Sequence, residues 1–196
     1  METTNPILGQ RFEDALIYAA KLHARQIRKG SEVPYIAHLI GVASIALEYG
    51  ADEDEAIAAL LHDAIEDQGG AEAREEIKKR FGEKVVTIVE GCTDADVKPK
   101  PPWRQRKETY IAHIKDASPS VHLVSCSDKL HNARTILKDY RMHGDKLWER
   151  FKGGKEGTLW YYRSLSDIFQ TVYPSPLTEE LERVVSEIEG LARKNN

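Results

Sequence analysis

Cysteine is nearly absent: Cys92 and Cys126 are the two in a chain of 196 residues. That count argues against a disulfide scaffold or a thiolate zinc site, and it is compatible with a reducing cytoplasm. Long apolar runs are missing too, none approaching the ~18 residues from which a membrane-spanning helix is read. The opening Met1-Glu2-Thr3-Thr4-Asn5-Pro6 has neither the basic nor the apolar region of a secretory signal, so a cytoplasmic protein with no membrane partner is expected. Positive charge is not in excess. Lys and Arg number 28 against 32 Asp and Glu, and the net charge of −4 argues against a nucleic-acid partner. Strand alternation is scarce as well. Val85-Val86-Thr87-Ile88-Val89 and Val121-His122-Leu123-Val124 are the two β-branched runs, and their neighbours favour helix.

What is present is helical periodicity, over about residues 10–27, 38–49, 52–67, 71–81, 83–92, 103–117, 120–140, 143–151, 157–172 and 177–194. Gly30, Gly69-Gly70, Pro99 with Pro101 and Pro102, Gly144 and Gly153-Gly154 punctuate it. No internal repeat and no composition break divides the chain, and its length suits one large domain, 1–196, with an adequate core. The expected fold class is all-α, a single bundle of about ten helices.

The densest chemistry lies in Leu60-Leu61-His62-Asp63-Ala64-Ile65-Glu66-Asp67. On an α-helix of about 100° per residue, His62, Glu66, Asp63 and Asp67 fall in that order within an arc of about 140°. Leu60, Leu61, Ala64, Ile65 and Ala58 take the rest of the surface, and no Lys or Arg occurs from Ala51 to Gly70. Three carboxylates and an imidazole thus crowd one face of a helix that otherwise reads as buried. Buried charge is costly unless paired or metal-bound. A divalent cation is the simplest remedy; a helix end with exposed acids explains the stretch alone equally well.

Two further residues are placed to complete a coordination set. His38 closes Pro34-Tyr35-Ile36-Ala37-His38, and Asp128 is the one acid in the apolar stretch Leu123-Val124-Ser125-Cys126-Ser127-Asp128. Each alone is more often structural, a His capping a helix or an Asp bonded to a backbone amide. With His62 and Asp63 they make a mixed N/O site, which suits Mn, Fe, Co or Zn better than Ca or Mg. Cys126 stands two residues before Asp128, and a small core residue is its plainer reading.

Basic residues come in three groups: Arg25, Arg28 and Lys29; Lys98, Lys100, Arg104, Arg106 and Lys107; and Lys129, Arg134, Lys138 and Arg141. The first and last adjoin candidate ligands and suit a highly anionic small substrate. The middle group reads equally well as a solvated charge run.

Four blocks occur in order: Arg28-Lys29 leading to Pro34-Tyr35-Ile36-Ala37-His38; His62-Asp63-Ala64-Ile65-Glu66-Asp67; Glu90-Gly91-Cys92-Thr93; and Ser127-Asp128-Lys129-Leu130-His131-Asn132-Ala133-Arg134-Thr135. In these the chain resembles the HD-superfamily phosphohydrolases, and more narrowly the hydrolase domain of the RelA/SpoT family and its stand-alone form, the small alarmone hydrolases. The resemblance implies an HD-type helical bundle. It also implies one Mn²⁺ per chain on His38, His62, Asp63 and Asp128, although these ligands permit other divalent transition metals. Acid/base work falls to the Glu-Asp pair, Glu66 orienting and deprotonating the attacking water with Asp67 assisting. Arg28 and Lys29 then stand beside the nucleotide, and Asn132 touches its sugar–phosphate region. Arg106 and Lys155 are further candidate substrate contacts, Lys155 from Gly153-Gly154-Lys155-Glu156-Gly157, whose following aromatics are more often core.

The expected activity is hydrolysis of the 3′-pyrophosphate of ppGpp, pppGpp, ppApp or pppApp, with release of pyrophosphate. Alternatives in the same class are removal of the 2′-phosphate of NADPH or of the phosphate of a nucleoside monophosphate. A non-catalytic nucleotide sensor is the alternative of another class, and the intact Glu66-Asp67 pair counts against it.

Overall fold

The computed structural model describes residues 8–94 and 99–194; Lys98 of the middle basic group and the opening residues read for a secretory signal lie outside them. The described residues are all-α, in nine α-helices, one π-helical turn and one 3-10 helix, with one isolated bridge from Ile27 to Pro34. They fall into two compact units, 1–96 and 97–196.

The first unit holds α1 (Gln10–Leu22), α2 (Ile36–Glu48), α3 (Glu53–Leu61), the π turn Ile65–Gly69, α4 (Ala71–Phe81) and α5 (Glu83–Cys92). Its central helix is α3, packed against α1, α2 and α5. Every residue from Ala56 to Leu61 is buried, as a helix that is apolar on all sides must be. A capping box starts α3: Glu55 N–H donates to Asp52 Oδ1, and Asp52 N–H to Glu55 Oε2, both at 2.9 Å. The helix expected to run to residue 27 stops at Leu22. The chain then forms a narrow hairpin, in which Arg28 N–H donates to Val33 O and Tyr35 N–H to Gln26 O, both at 2.9 Å. Gly30, at φ 74°, supplies the left-handed conformation at its tip.

The helix expected over 52–67 is also interrupted. It ends at Leu61, His62 and Asp63 form a turn, and Ile65–Gly69 is π-helical. Gly70 closes the widened turn, its N–H bonding back to Ile65 O at 3.0 Å from a backbone at φ 51°.

The second unit holds α6 (Trp103–Lys115), α7 (Pro119–His143), the 3-10 helix Gly144–Arg150, α8 (Gly154–Val172) and α9 (Pro176–Lys194). α7 packs on α8 and α9, and α8 on α6. Ser118 Oγ accepts from Val121 N–H and Pro119 occupies the first turn, so α7 starts with both of its usual signals. Its stretch from Val121 to Asp128 is wholly buried. Both β-branched runs are helical, one in α5 and one in α7. The segment expected as a helix over 143–151 is 3-10. No helix among the described residues is long and apolar enough to cross a membrane. Cys92 and Cys126 are buried thiols outside any disulfide, and burial pushes the Cys126 thiol well up, as suits a core residue.

Candidate active site

His38 lies in the first turn of α2, and His62 and Asp63 follow the last residue of α3. Packing of α2 on α3 brings the three together. His62 Nε2 stands 3.1 Å and His38 Nε2 3.5 Å from the same oxygen, Asp63 Oδ2. Both imidazoles are buried, their ring centroids 5.1 Å apart. His62 Nδ1 lies 2.8 Å from Ala59 O, so that nitrogen carries the proton and Nε2 presents its lone pair. Metal-ligating imidazoles are prepared in this way. Donor atoms of His38 and His62 fall within 4.8 Å of each other, a spacing that one divalent transition metal can bridge. Tyr35 adds a constraint that the sequence did not announce: its hydroxyl donates to Asp63 Oδ2 at 2.6 Å.

The two candidate acid/base residues leave the turn in different environments. Glu66 is half-buried, and its Oε2 accepts from Asp94 N–H at 3.3 Å. This contact gives the Glu90-Gly91-Cys92-Thr93 block a physical role, since the chain leaving α5 delivers the amide that steadies Glu66. Asp67 is exposed, and its Oδ2 accepts from Gln26 Nε2 at 2.7 Å.

Arg28 and Lys29 sit on the hairpin. Arg28 is half-buried with its guanidinium carbon 5.6 Å from the centre of the Tyr35 ring, and Lys29 is exposed at the tip. Arg28 therefore reaches the tyrosine that holds Asp63, whereas Lys29 extends into solvent.

In the second unit Asp128 is buried on α7 with both oxygens engaged. Lys129 Nζ donates to Oδ2 at 2.6 Å and Asn132 Nδ2 to Oδ1 at 2.5 Å. Asn132, expected against substrate, is thus a partner of the Asp128 carboxylate one turn earlier. Burial opposes the charge on Lys129, but Asp128, Tyr110 and Tyr161 outweigh it, so the ammonium is held well above its ordinary pKa. Lys155 faces Asp145, Nζ to Oδ2 at 3.5 Å, and Arg106 is half-buried on α6. Arg104 lies over Trp160 at 3.2 Å. The glycines around Lys155 have a packing reason: a Cβ at Gly153 would stand 2.6 Å from Trp103 Cη2, and one at Gly157 3.1 Å from Cζ3.

Tyr35, Gln26 and His23 were not foreseen, and Lys129 was read only as one of the cations suited to an anionic substrate, not as the partner of Asp128. Tyr35 has a signal, since it precedes His38 by three residues and so shares its face. Lys129 has one too, being a cation beside an acid in an apolar run. His23 and Gln26 lie past the end of α1 at Leu22, inside the stretch over 10–27 that reads as helical, and that reading gives them no role at a site.

An HD domain family model matches residues 15–159. Guanosine-3′,5′-bis(diphosphate) 3′-pyrophosphohydrolase MESH1 of Xenopus tropicalis is 40% identical over 128 residues, which covers 64% of this chain and 69% of that protein. The guanosine-3′,5′-bis(diphosphate) 3′-pyrophosphohydrolase of Aquifex aeolicus (strain VF5) is 38% identical over 133 residues, covering 67% of this chain but 18% of that longer protein. Among solved structures, a metazoan ortholog of SpoT, described as hydrolysing ppGpp with a role in starvation responses, superposes with a TM-score of 0.79 at 27% identity. That match covers 96% of this chain and 99% of the other.

Proposed function

The chain belongs to the HD domain family, and on that premise we propose that it is a metal-dependent hydrolase that removes the 3′-pyrophosphate of ppGpp, releasing pyrophosphate and the 5′-nucleotide. The observation that carries the reading is the convergence of His38 Nε2 and His62 Nε2 on one oxygen of Asp63, with Glu66 and Asp67 on the following turn. The names of the relatives support the substrate. The proposal extends to pppGpp and to the adenosine alarmones ppApp and pppApp. The family match crosses the boundary between the two units, which supports taking residues 1–196 as one HD-type domain. Two reduced cysteines support a cytoplasmic setting.

His38, His62 and Asp63 would hold one divalent cation, Mn²⁺ in this proposal, with Asp128 as fourth ligand on the strength of its sequence block. Bound there, the cation supplies Lewis-acid chemistry toward water and phosphoryl oxygen. Tyr35 keeps the Asp63 carboxylate turned toward the two imidazoles. Glu66, steadied by the Asp94 amide, orients the attacking water and takes its proton, and Asp67 assists. Arg28 grips or stacks on the nucleotide while Lys29 acts as a point charge. Asn132, Arg106 and Lys155 complete the proposed substrate contacts.

The test is a panel of ppGpp, pppGpp, ppApp, pppApp and NADPH with Mn²⁺, resolving pyrophosphate from orthophosphate. Pyrophosphate from ppGpp is expected. Glu66→Gln should lose about a hundredfold or more in kcat with metal still bound. Orthophosphate from NADPH alone, or no turnover of any nucleotide, refutes the reading.

A further inference from the structure

Behind the exposed Asp67 lies a chain of polar side chains that the mechanism above does not use. Gln26 Nε2 donates to Asp67 Oδ2 at 2.7 Å. On its other side Gln26 Oε1 lies 2.6 Å from His23 Nδ1 and is also bonded by Gln68 Nε2. An amide has one donor end and one acceptor end, and a carboxylate only accepts. The contact with Asp67 therefore fixes the Gln26 amide, which in turn requires the proton of His23 to sit on Nδ1. Two donors fill the Gln26 carbonyl, so the amide has no reason to flip. His23 is 2% exposed, its ring stacks on Tyr35 at 5.3 Å between centroids, and its Nε2 is buried with no hydrogen-bond partner among the described residues. Burial also lowers the pKa of His23, against the smaller raising effect of Gln26.

The backbone is shaped to the same end. Asp67 and Gln68 are consecutive, yet both side chains close on Gln26. They do so from the π turn, a widened geometry that recurs at functional sites. The Gln26 backbone carbonyl accepts from Tyr35 N–H at 2.9 Å, so the same short hairpin fixes both Gln26 and the tyrosine that orients Asp63.

We propose that Gln26, locked by His23 and by Gln68, is a positioning residue that holds the Asp67 carboxylate in its working orientation, the π turn being the device that presents Asp67 and Gln68 to it. The proposal rests on the reading of Asp67 as the assisting acid/base.

The experiment has a kinetic arm and an arm that needs no substrate. Gln26→Leu keeps the size of the side chain and removes both hydrogen-bonding ends. It should lower kcat for ppGpp about tenfold to a hundredfold, as misplacement of a reacting group does, with KM and Mn²⁺ affinity by calorimetry nearly unchanged. In the Asp67→Asn background the same substitution should change kcat by less than about twofold, because the two act through one group. In the second arm, the side-chain amide protons of Gln26 are followed by NMR in the intact protein. Asp67→Asn should shift them, and Gln26→Leu should change the ¹⁵N signature of the His23 Nδ1–H tautomer. Inactivity of the unmutated enzyme would sink the hydrolase reading and leave this arm to decide the relay. Undiminished kcat in Gln26→Leu, an equal loss with and without Asp67, or a Gln26 amide indifferent to Asp67→Asn each overturns the proposal.

Discussion

Gly153→Ala isolates a packing constraint at the basic, aromatic end of the second unit. A Cβ there would meet Trp103 Cη2 at 2.6 Å, Cζ2 at 2.8 Å and Cζ3 at 3.0 Å. The backbone raises no objection, since Gly153 sits at φ −81° and ψ −8°, open to any residue. The cost is therefore steric. The indole is hemmed by Trp160 and Tyr161, each with its ring centroid 6.3 Å away, so it retreats only by disturbing them. Overpacking of a fitted contact costs about 1–3 kcal/mol, and three close atoms on a rigid ring argue for about 2 kcal/mol. In a chain of this length that corresponds to a fall in Tm of roughly 4–8 °C. Gly157→Ala is the control: its Cβ would touch the same ring at 3.1 Å and 3.2 Å. There the gain of about 1 kcal/mol for replacing a helical glycine offsets a softer push, and the net change should be near zero. Urea unfolding followed by far-UV circular dichroism reads both variants, and Trp103→Leu supplies the background in which Gly153→Ala should become harmless. A loss under about 0.5 kcal/mol, ordinary for a neutral surface change, or a loss that survives in Trp103→Leu, refutes the steric account.

His62→Ala should empty the proposed metal centre, and metal analysis of the purified variant checks it; full occupancy would remove His62 from the coordination set. Arg28→Ala should raise KM for ppGpp more than it lowers kcat, and added salt should weaken capture by the unmutated enzyme, while metal content stays constant. An unchanged KM would make the hairpin an ordinary solvated loop. Glu180 offers a pH test: Arg183 and Arg134 hold its carboxyl down at about 2 against an ordinary 4.5. A depressed folded value means stability that is fully present above pH 4.5 and is lost as pH falls through about 2. Glu180→Gln should thus cost about 1 kcal/mol near neutrality, the range of partly solvated ion pairs, and the gap to the unmutated protein should close in acid. A gap independent of pH would assign the effect to something other than the charge.

Most helices were legible because their burial follows local pattern. The apolar run from Ala56 to Leu61 admits only a central position, and the periodicity over 120–140 falls within α7. The β-branched runs in α5 and α7 posed the one ambiguity of type, and tertiary burial settled it, since both helices bury those residues. The errors came at boundaries. The end of α1 at Leu22 depends on a hairpin whose rungs join Gln26 to Tyr35 and Arg28 to Val33, and nothing periodic in the chain records that pairing.

The site divides along the same line. His38, His62 and Asp128 were legible because each is a polar residue in an apolar helical setting, which is rare without a partner, and all three are buried. The α-helical spacing argument for Asp63 and Asp67 survived the break in the helix for a specific reason. Asp67 N–H still bonds to Asp63 O at 3.0 Å, an i to i+4 contact, and the wider closure appears only where Gly70 N–H reaches Ile65 O. The partners of the acids were hidden for a different cause. Tyr35 meets Asp63 across 28 residues, and Gln26 meets Asp67 across 41. Both contacts exist because one hairpin is folded back over the end of α3, so they are properties of a loop's geometry and not of any spacing. Charge told least. Arg106 and Lys155 belong to residue types that are ordinary on a solvated surface, so their presence carries no constraint from which a role follows, whereas a buried acid must be answered by something. The proposed ligands are therefore singled out by the cost of their environment, and their hydrogen-bond partners only by contacts that the fold creates.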